Sequence, residues 1–307
     1  MSSTLTPPTI AQDESLPLRT WWSVRNALVL ARRGVTRIIR EPSQLLDVTV
    51  QPVIFILLFV YVFGSAIKLP GHGNYHEYLV GGMFGMALTG TAQGTAVGVA
   101  SDMATGLTDR LRSLPIARSA VLTGRVLADL LTEVIAIIVL IITGLAVGWG
   151  IHNGIGNALA AIGLCLLIAF AMTWAGACAG MLVKNPETAQ AVGFIFFLPM
   201  VFISNTFVPT QGMPAWLRAV ADWNPVSAVA AACRHLFGNP NPSAHIAAWP
   251  MQHPELATIV WSIGLIAVFA PLAVHLYRRK SLRWRCRSRR CRGVTQSRGV
   301  TVVLLWQ

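Results

Sequence analysis

Acidic side chains are scarce in this chain: Asp and Glu number 12 among 307 residues, half the 24 Lys and Arg. Charge of either sign makes up only 12% of the residues while 54% are apolar, and the mean hydropathy is positive. So little charge cannot clothe a water-soluble globule of this size, and the composition is that of an integral membrane protein. Lysine is nearly missing. Lys68, Lys184 and Lys280 all stand outside any G-x-x-x-x-G-K-[ST] loop, which excludes ATP binding by that route. The sequence also lacks H-E-x-x-H, G-x-S-x-G and any pair of carboxylates facing a plausible cavity, so no catalytic residue is assigned. Of five cysteines, Cys165 and Cys178 fall in one apolar run, Cys233 beyond it, and Cys286 and Cys291 in the C-terminal tail. No outer-side pair for a disulfide is expected. The tail's C-x4-C has no His or acidic neighbour, and no metal site is assigned. The first eighteen residues carry neither Lys nor Arg nor a long apolar core, unlike a cleavable signal peptide. The first apolar run is expected to act as the targeting signal.

What the chain has in abundance is apolar length. A helical span needs about 20 mostly apolar residues, and six stretches qualify: 44–66, 78–100, 126–148, 157–183, 189–208 and 256–277. The net charge of +12 would suit nucleic acid, but the positions of the basic residues argue for membrane topology instead, and no nucleic-acid partner is expected. Arg19, Arg25, Arg32, Arg33, Arg37 and Arg40 precede the first span; Arg110, Arg112, Arg118 and Arg125 lie between the second and third; Lys184 separates the fourth and fifth; ten more follow the sixth. The alternate loops hold only Lys68, Arg218 and Arg234. The positive-inside bias therefore places both termini in the cytoplasm of a multi-pass protein of the cell membrane.

Residues 1–18 are rich in Thr, Pro and Ser and are expected to be a disordered tail. Over 19–41, Val24, Leu28, Ala31, Val35 and Ile38 follow helical spacing, while Arg25, Arg33, Arg37 and Arg40 share the opposite arc. That pattern predicts an amphipathic helix lying in the interface of a lipid bilayer. In the first span Asp47 and Gln51 sit close to one end, and in the loop after it His72 and His76 read as solvated. The second span carries Gly81, Gly85, Gly90, Gly94 and Gly98, a line that admits close approach of another helix. Its polar residues, Thr89, Gln93 and Thr95 among them, are candidates for lining a translocation path, as is Asn205 near the outer end of span five.

The third span opens with Arg125, Asp129 and Glu133 at four-residue intervals, so all three stack on one face. They are expected to form a polar network at the cytoplasmic end, with an encounter with a cationic substrate as the functional alternative for Glu133. Span four ends with Gly176 and Gly180, another close-packing line. Pro199 should kink span five. In the outer segment 209–254, Asn224-Pro225 reads as an N-cap followed by proline at the first helical position. The helix it opens, to about Phe237, is too apolar for water and too short to span, and an interfacial or re-entrant hairpin anchored by tryptophans fits it. Residues 278–307 form a basic tail without an acid, expected to be disordered or out of keeping with the rest of the chain.

Between spans two and three lies SDMATGLTDRLRSLPIARSAVLTGR, residues 101–125. Met103, Leu107, Leu111 and Leu114 make one apolar stripe at helical spacing, with Asp109, Arg110 and Arg112 elsewhere, and Pro115 should end the helix. It is either a basic loop obeying topology or a short helix presenting its polar face to a cytoplasmic partner. No span places a charged group near its middle on this reading, so uphill transport would draw its energy from a separate subunit.

Four separated stretches carry a family resemblance: EPSQLLDVTVQPVIFILLFVYVFG after the basic helix, DMATGLTDRLRSLPIARSAVLTGRVLADL, the KNPETAQ turn, and FISNTFVPTQGMPAWLRAVADWNPVSAVAAACRHL. Over roughly residues 19–279 the chain resembles ABC-2 type permeases, specifically the daunorubicin-resistance export permeases. The resemblance implies an all-α, six-helix permease that pairs with a second permease, identical or not, and with ABC-type ATP-binding subunits that hold ATP and magnesium; this chain would bind no cofactor. The loop then corresponds to a cytoplasmic coupling helix over about residues 102–114, with Met103, Leu107, Asp109, Arg110, Leu111, Arg112 and Leu114, and with Arg25, Arg33 and Arg37, meeting the ATPase. The cargo would be a small hydrophobic or amphipathic drug; a lipid or glycan cargo, or a non-transporting membrane scaffold, are the alternatives. The tail beyond Arg283 departs from the family pattern.

Overall fold

A computed structural model describes residues 42–64, 67, 69, 74–105, 118–183, 185–242 and 248–298. Among these the secondary structure is helical throughout, with no strand. Helix α1 (Pro42–Leu58) passes into a π-helical turn at Phe59–Phe63 and is followed by α2 (Tyr75–Ala104), α3 (Arg118–Ala146), α4 (Gly154–Leu182) and α5 (Pro186–Phe202). After a 3₁₀ turn at Thr210–Gly212 come α6 (Ala215–Asp222), α7 (Pro225–Phe237), the single turn α8 (Trp249–Gln252) and the long α9 (Pro254–Arg298). The expected tail 1–18, the amphipathic helix 19–41 and most of the loop between α2 and α3 lie outside the described residues.

Six of these helices stand where the apolar runs predict them. Among the described residues three stretches are long and apolar enough to cross a membrane: Gly124–Ala146 in α3, Gly154–Leu182 (α4) and Pro254–Leu276 in α9. The apolar parts of α1 and α5, Thr49–Phe63 and Pro186–Phe202, are shorter. Thirty residues make α2 long enough, about 45 Å at the rise of a helix, but its glycines and threonines hold its hydropathy down. The reason is position, since α2 packs against α1, α3, α4, α5 and α7 and most of its residues from Tyr75 to Ala100 are buried. A helix sheathed in protein can carry polar groups that lipid would penalise. Helix α9 continues through the basic tail to Arg298, where disorder was expected.

Around α2 the core divides into a large cluster, including Tyr78, Phe84, Leu88, Ile168, Val229 and Phe237, and a smaller one of Val99, Val126, Trp174, Met181 and Ala273. Outward, Ile142, Ile155, Phe196 and Ile263 are at least half exposed, as suits helices that lean on lipid. The α6–α7 hairpin begins its second helix as the sequence predicts: Asn224 Oδ1 accepts from the Val226 amide at 2.9 Å, and Pro225 fills the first helical position. Gly238, at φ 75°, ends it in the left-handed conformation that a Cβ would strain. Nearly all of α7 is buried against α2, α4 and α9, so protein, more than an interface, shelters its apolar faces. Cys165 of α4 and Cys233 of α7 consequently meet with Sγ atoms 3.4 Å apart. Their proximity was not legible in the sequence; both thiols are free and buried.

Candidate functional site

Polar side chains concentrate at two levels of α2, and each level is organised by one arginine. The first joins α2 to α3. Because Arg125, Asp129 and Glu133 recur every four residues, they form a ladder on the face of α3 that meets α2. Arg125 Nη1 donates to Asp102 Oδ2 at 3.1 Å, and its Nε donates to Asp129 Oδ1 at 3.1 Å. Asp129 also accepts from the Thr95 hydroxyl at 2.7 Å. One rung higher, the Thr91 hydroxyl donates to Glu133 Oε2. The guanidinium has room because residue 98 is glycine: a Cβ there would fall within 2 Å of Arg125 Nη2.

Asp102 was read as the start of a separate loop helix, but α2 runs on to Ala104 with Thr105 as its C-cap. Met103 belongs to the same last turn and packs on the smaller core cluster. Glu133 stands two helical turns beyond Arg125 on the same face, within the apolar part of α3, Gly124–Ala146.

The second level lies at the other end of α2, where α7 crosses it. Arg234, read from sequence as a loop charge, is fully buried. Its Nε donates to the Tyr78 carbonyl at 2.9 Å, and its Nη2 donates to the carbonyls of Asn205 at 2.9 Å and Thr206 at 3.0 Å. The guanidinium carbon sits 3.6 Å from the centre of the Tyr78 ring, a cation–π stack, while the Tyr78 hydroxyl also donates to the Asn205 carbonyl. Gly81 and Gly82 make the space, since a Cβ on either would come within 2.7 Å of the Arg234 side chain. No carboxylate touches it among the described residues. A lone arginine in the apolar run VSAVAAACRHLF was the available signal.

The four path candidates have different surroundings. Thr89 is buried and donates back to the Met86 carbonyl at 2.6 Å, Thr95 serves Asp129, Gln93 lies beside Gly193 of α5, and Asn205 belongs to the Arg234 level. Of the predicted partner-facing residues, Leu107, Asp109, Arg110, Leu111, Arg112, Leu114, Arg25, Arg33 and Arg37 lie outside the described residues. The glycine line of α2 also splits. Gly81 and Gly85 are pressed by α7, Gly98 by Arg125, and Gly90 and Gly94 face open space.

Comparison with known proteins agrees with this architecture. Residues 25–237 match the family model described as ABC-2 type transporter. The chain is 32% identical over 240 residues, 78% of its length and 81% of the relative's, to the daunorubicin resistance ABC transporter permease protein DrrB1 of Streptomyces coeruleorubidus. It is 25% identical over 260 residues, 84% of its length and 90% of the relative's, to the probable doxorubicin resistance ABC transporter permease protein DrrC of Mycobacterium tuberculosis. A putative transport permease of Cyanophora paradoxa, ycf38, is 22% identical over 231 residues, covering 74% of this chain and 79% of that one.

Proposed function

We propose, from the premise that the chain belongs to the ABC-2 type transporter family and is a membrane permease subunit of an ABC exporter, not an enzyme, that it moves a hydrophobic or amphipathic drug-like molecule out of the cell with energy from ATP hydrolysed by a separate subunit. Two permeases, identical or not, would stand on two ATP-binding subunits, which hold the ATP and magnesium. Helices α1, α2, α3, α4, α5 and α9 would supply six spans in the cell membrane, with both termini in the cytoplasm and the α6–α7 hairpin on the outer side.

The observation that carries the coupling scheme is the Arg125 clamp. It grips the last turn of α2 through Asp102 and the body of α3 through Asp129, at the root of the loop that joins them. A push on residues 106–117 would therefore move two helices together. Motion would pass to α4 through the close α2–α4 packing, and a tilt of these helices would open the path. Leu107 and Leu111 would seat the loop as a coupling helix, Asp109, Arg110 and Arg112 would face the ATPase, and Arg25, Arg33 and Arg37 would add a second contact.

Changing both Leu107 and Leu111 to Asp tests the scheme. The variant should insert normally, fail to co-purify with the ATP-binding subunit and lose efflux. Unchanged efflux would sink the assignment.

A further inference from the structure

Glu133 is the most deeply placed carboxylate of the described structure and the least well satisfied. It is 2% exposed. The Thr91 hydroxyl serves one of its oxygens, and the other, Oε1, has no hydrogen-bond partner. No described cation reaches it. Arg125 lies eight residues away on the same face, about 12 Å along the axis, and its guanidinium is already held by Asp102 and Asp129. Among the described residues no charged side chain of another element acts on it, and the Cys165 thiol of α4 is the neutral group within its electrostatic reach.

An ionised carboxylate in such surroundings needs a cation or a proton, because its desolvation cost is far larger than one hydroxyl can offset. A purely structural acid would be expected to have a fixed basic partner, as Asp129 has. Glu133 has instead a hydroxyl donor on one oxygen and no donor on the other, inside the apolar part of α3. Resting on the exporter reading above, we propose that Glu133 is the specificity-determining residue for positively charged cargo, its carboxylate pairing with an ammonium or similar group of the transported molecule. Thr91 orients the carboxylate, and the cargo supplies the missing charge when α2 and α3 part. An unloaded carboxyl that carries a proton gives it up to water as the ion pair forms, which keeps charge balanced.

The test uses inside-out vesicles containing the permease with its ATP-binding subunit and two dyes, the permanently cationic ethidium and the neutral Nile red. Glu133→Gln should cut ATP-driven ethidium uptake at least about tenfold, the scale of a lost charge-assisted contact, and leave Nile red within twofold; Glu133→Asp should restore part of the ethidium transport. Equal loss of both dyes, or loss of neither, would overturn the proposal. A second arm uses the wild-type permease, so that a folding defect in the variant cannot decide the matter. Dicyclohexylcarbodiimide should label Glu133, and ethidium but not Nile red should protect it; labelling indifferent to ethidium refutes the assignment. No ATP-driven movement of either dye by the wild type would refute the exporter reading, and the labelling arm would still judge Glu133 separately.

Discussion

Replacing Gly176 and Gly180 of α4 together by alanine tests the central contact of the fold. An ideal Cβ on Gly176 would lie 2.1 Å from the Ala92 carbonyl oxygen of α2, and one on Gly180 would lie 2.3 Å from that of Ala96. Both obstacles are backbone, so neither can rotate aside, and the helices must separate by roughly 1 Å to restore ordinary contact. Such a gap forfeits a quarter to a half of each dispersion contact across the seam. Overpacking costs about 1–3 kcal/mol per site, against a helix-propensity gain of about 1 kcal/mol for each glycine removed. With backbone on the receiving side the upper part of the range applies, giving a net loss of about 2–4 kcal/mol for the pair. At about 2–4 °C per kcal/mol, thermal unfolding in detergent, followed by fluorescence-detected size exclusion, should fall by roughly 5–15 °C. The control is Gly163→Ala with Gly264→Ala, where nothing lies within 4 Å and stability should hold or rise. A double variant that melts within 2 °C of wild type, or no lower than the control, would refute the claim that α2 and α4 meet backbone to backbone.

Arg125→Ala should destabilise by up to about 3–5 kcal/mol by stranding the Asp129 carboxylate, and Arg125→Ala with Asp129→Asn should recover at least about 1 kcal/mol in the same melt; a double variant no better than the single one contradicts the pairing. Arg234→Lys keeps the charge but cannot hold three carbonyls in a fixed fork, so Cys233, 1% exposed, should become reactive toward a maleimide. Continued protection of Cys233 at wild-type stability would exclude Arg234 as the anchor of α7. Asn224 caps α7 with its oxygen while its amide nitrogen donates to the carbonyls of Met200 at 2.6 Å and Ile203 at 3.0 Å. Asn224→Asp preserves the cap and loses the bridge, so chemical denaturation should show a deficit of about 1–3 kcal/mol; an aspartate variant as stable as asparagine would mean that only the cap matters.

The positions of the apolar helices were readable because a span must be long and apolar wherever it faces lipid, and the α7 cap was readable because Asn-Pro is a local signal. What escaped were the properties set by neighbours. The α2 glycines look alike in sequence, yet α7 fills the space over Gly81, Arg125 fills that over Gly98, and nothing covers Gly90. Arg234 reads as a loop charge because periodicity says nothing of three backbone carbonyls brought together from α2 and the 203–206 turn. The ladder Arg125, Asp129 and Glu133 was visible as spacing, but Thr91, Thr95 and Asp102 complete it from another helix. Of the α2 residues that suggest a path in sequence, Thr95 proves to be a hydroxyl donor to Asp129, while Thr89 turns back onto the Met86 carbonyl.

The Arg234 level has a consequence for how this part of the chain can vary. Its acceptors are main-chain oxygens of residues 78, 205 and 206, which no substitution of a side chain removes. Drift at positions 205 and 206 is therefore cheap as far as this contact is concerned, whereas residues 81, 82 and 234 are locked as a trio, two kept small and one kept forked. A library randomised over residues 81, 82 and 234 should return little besides the two glycines and the arginine.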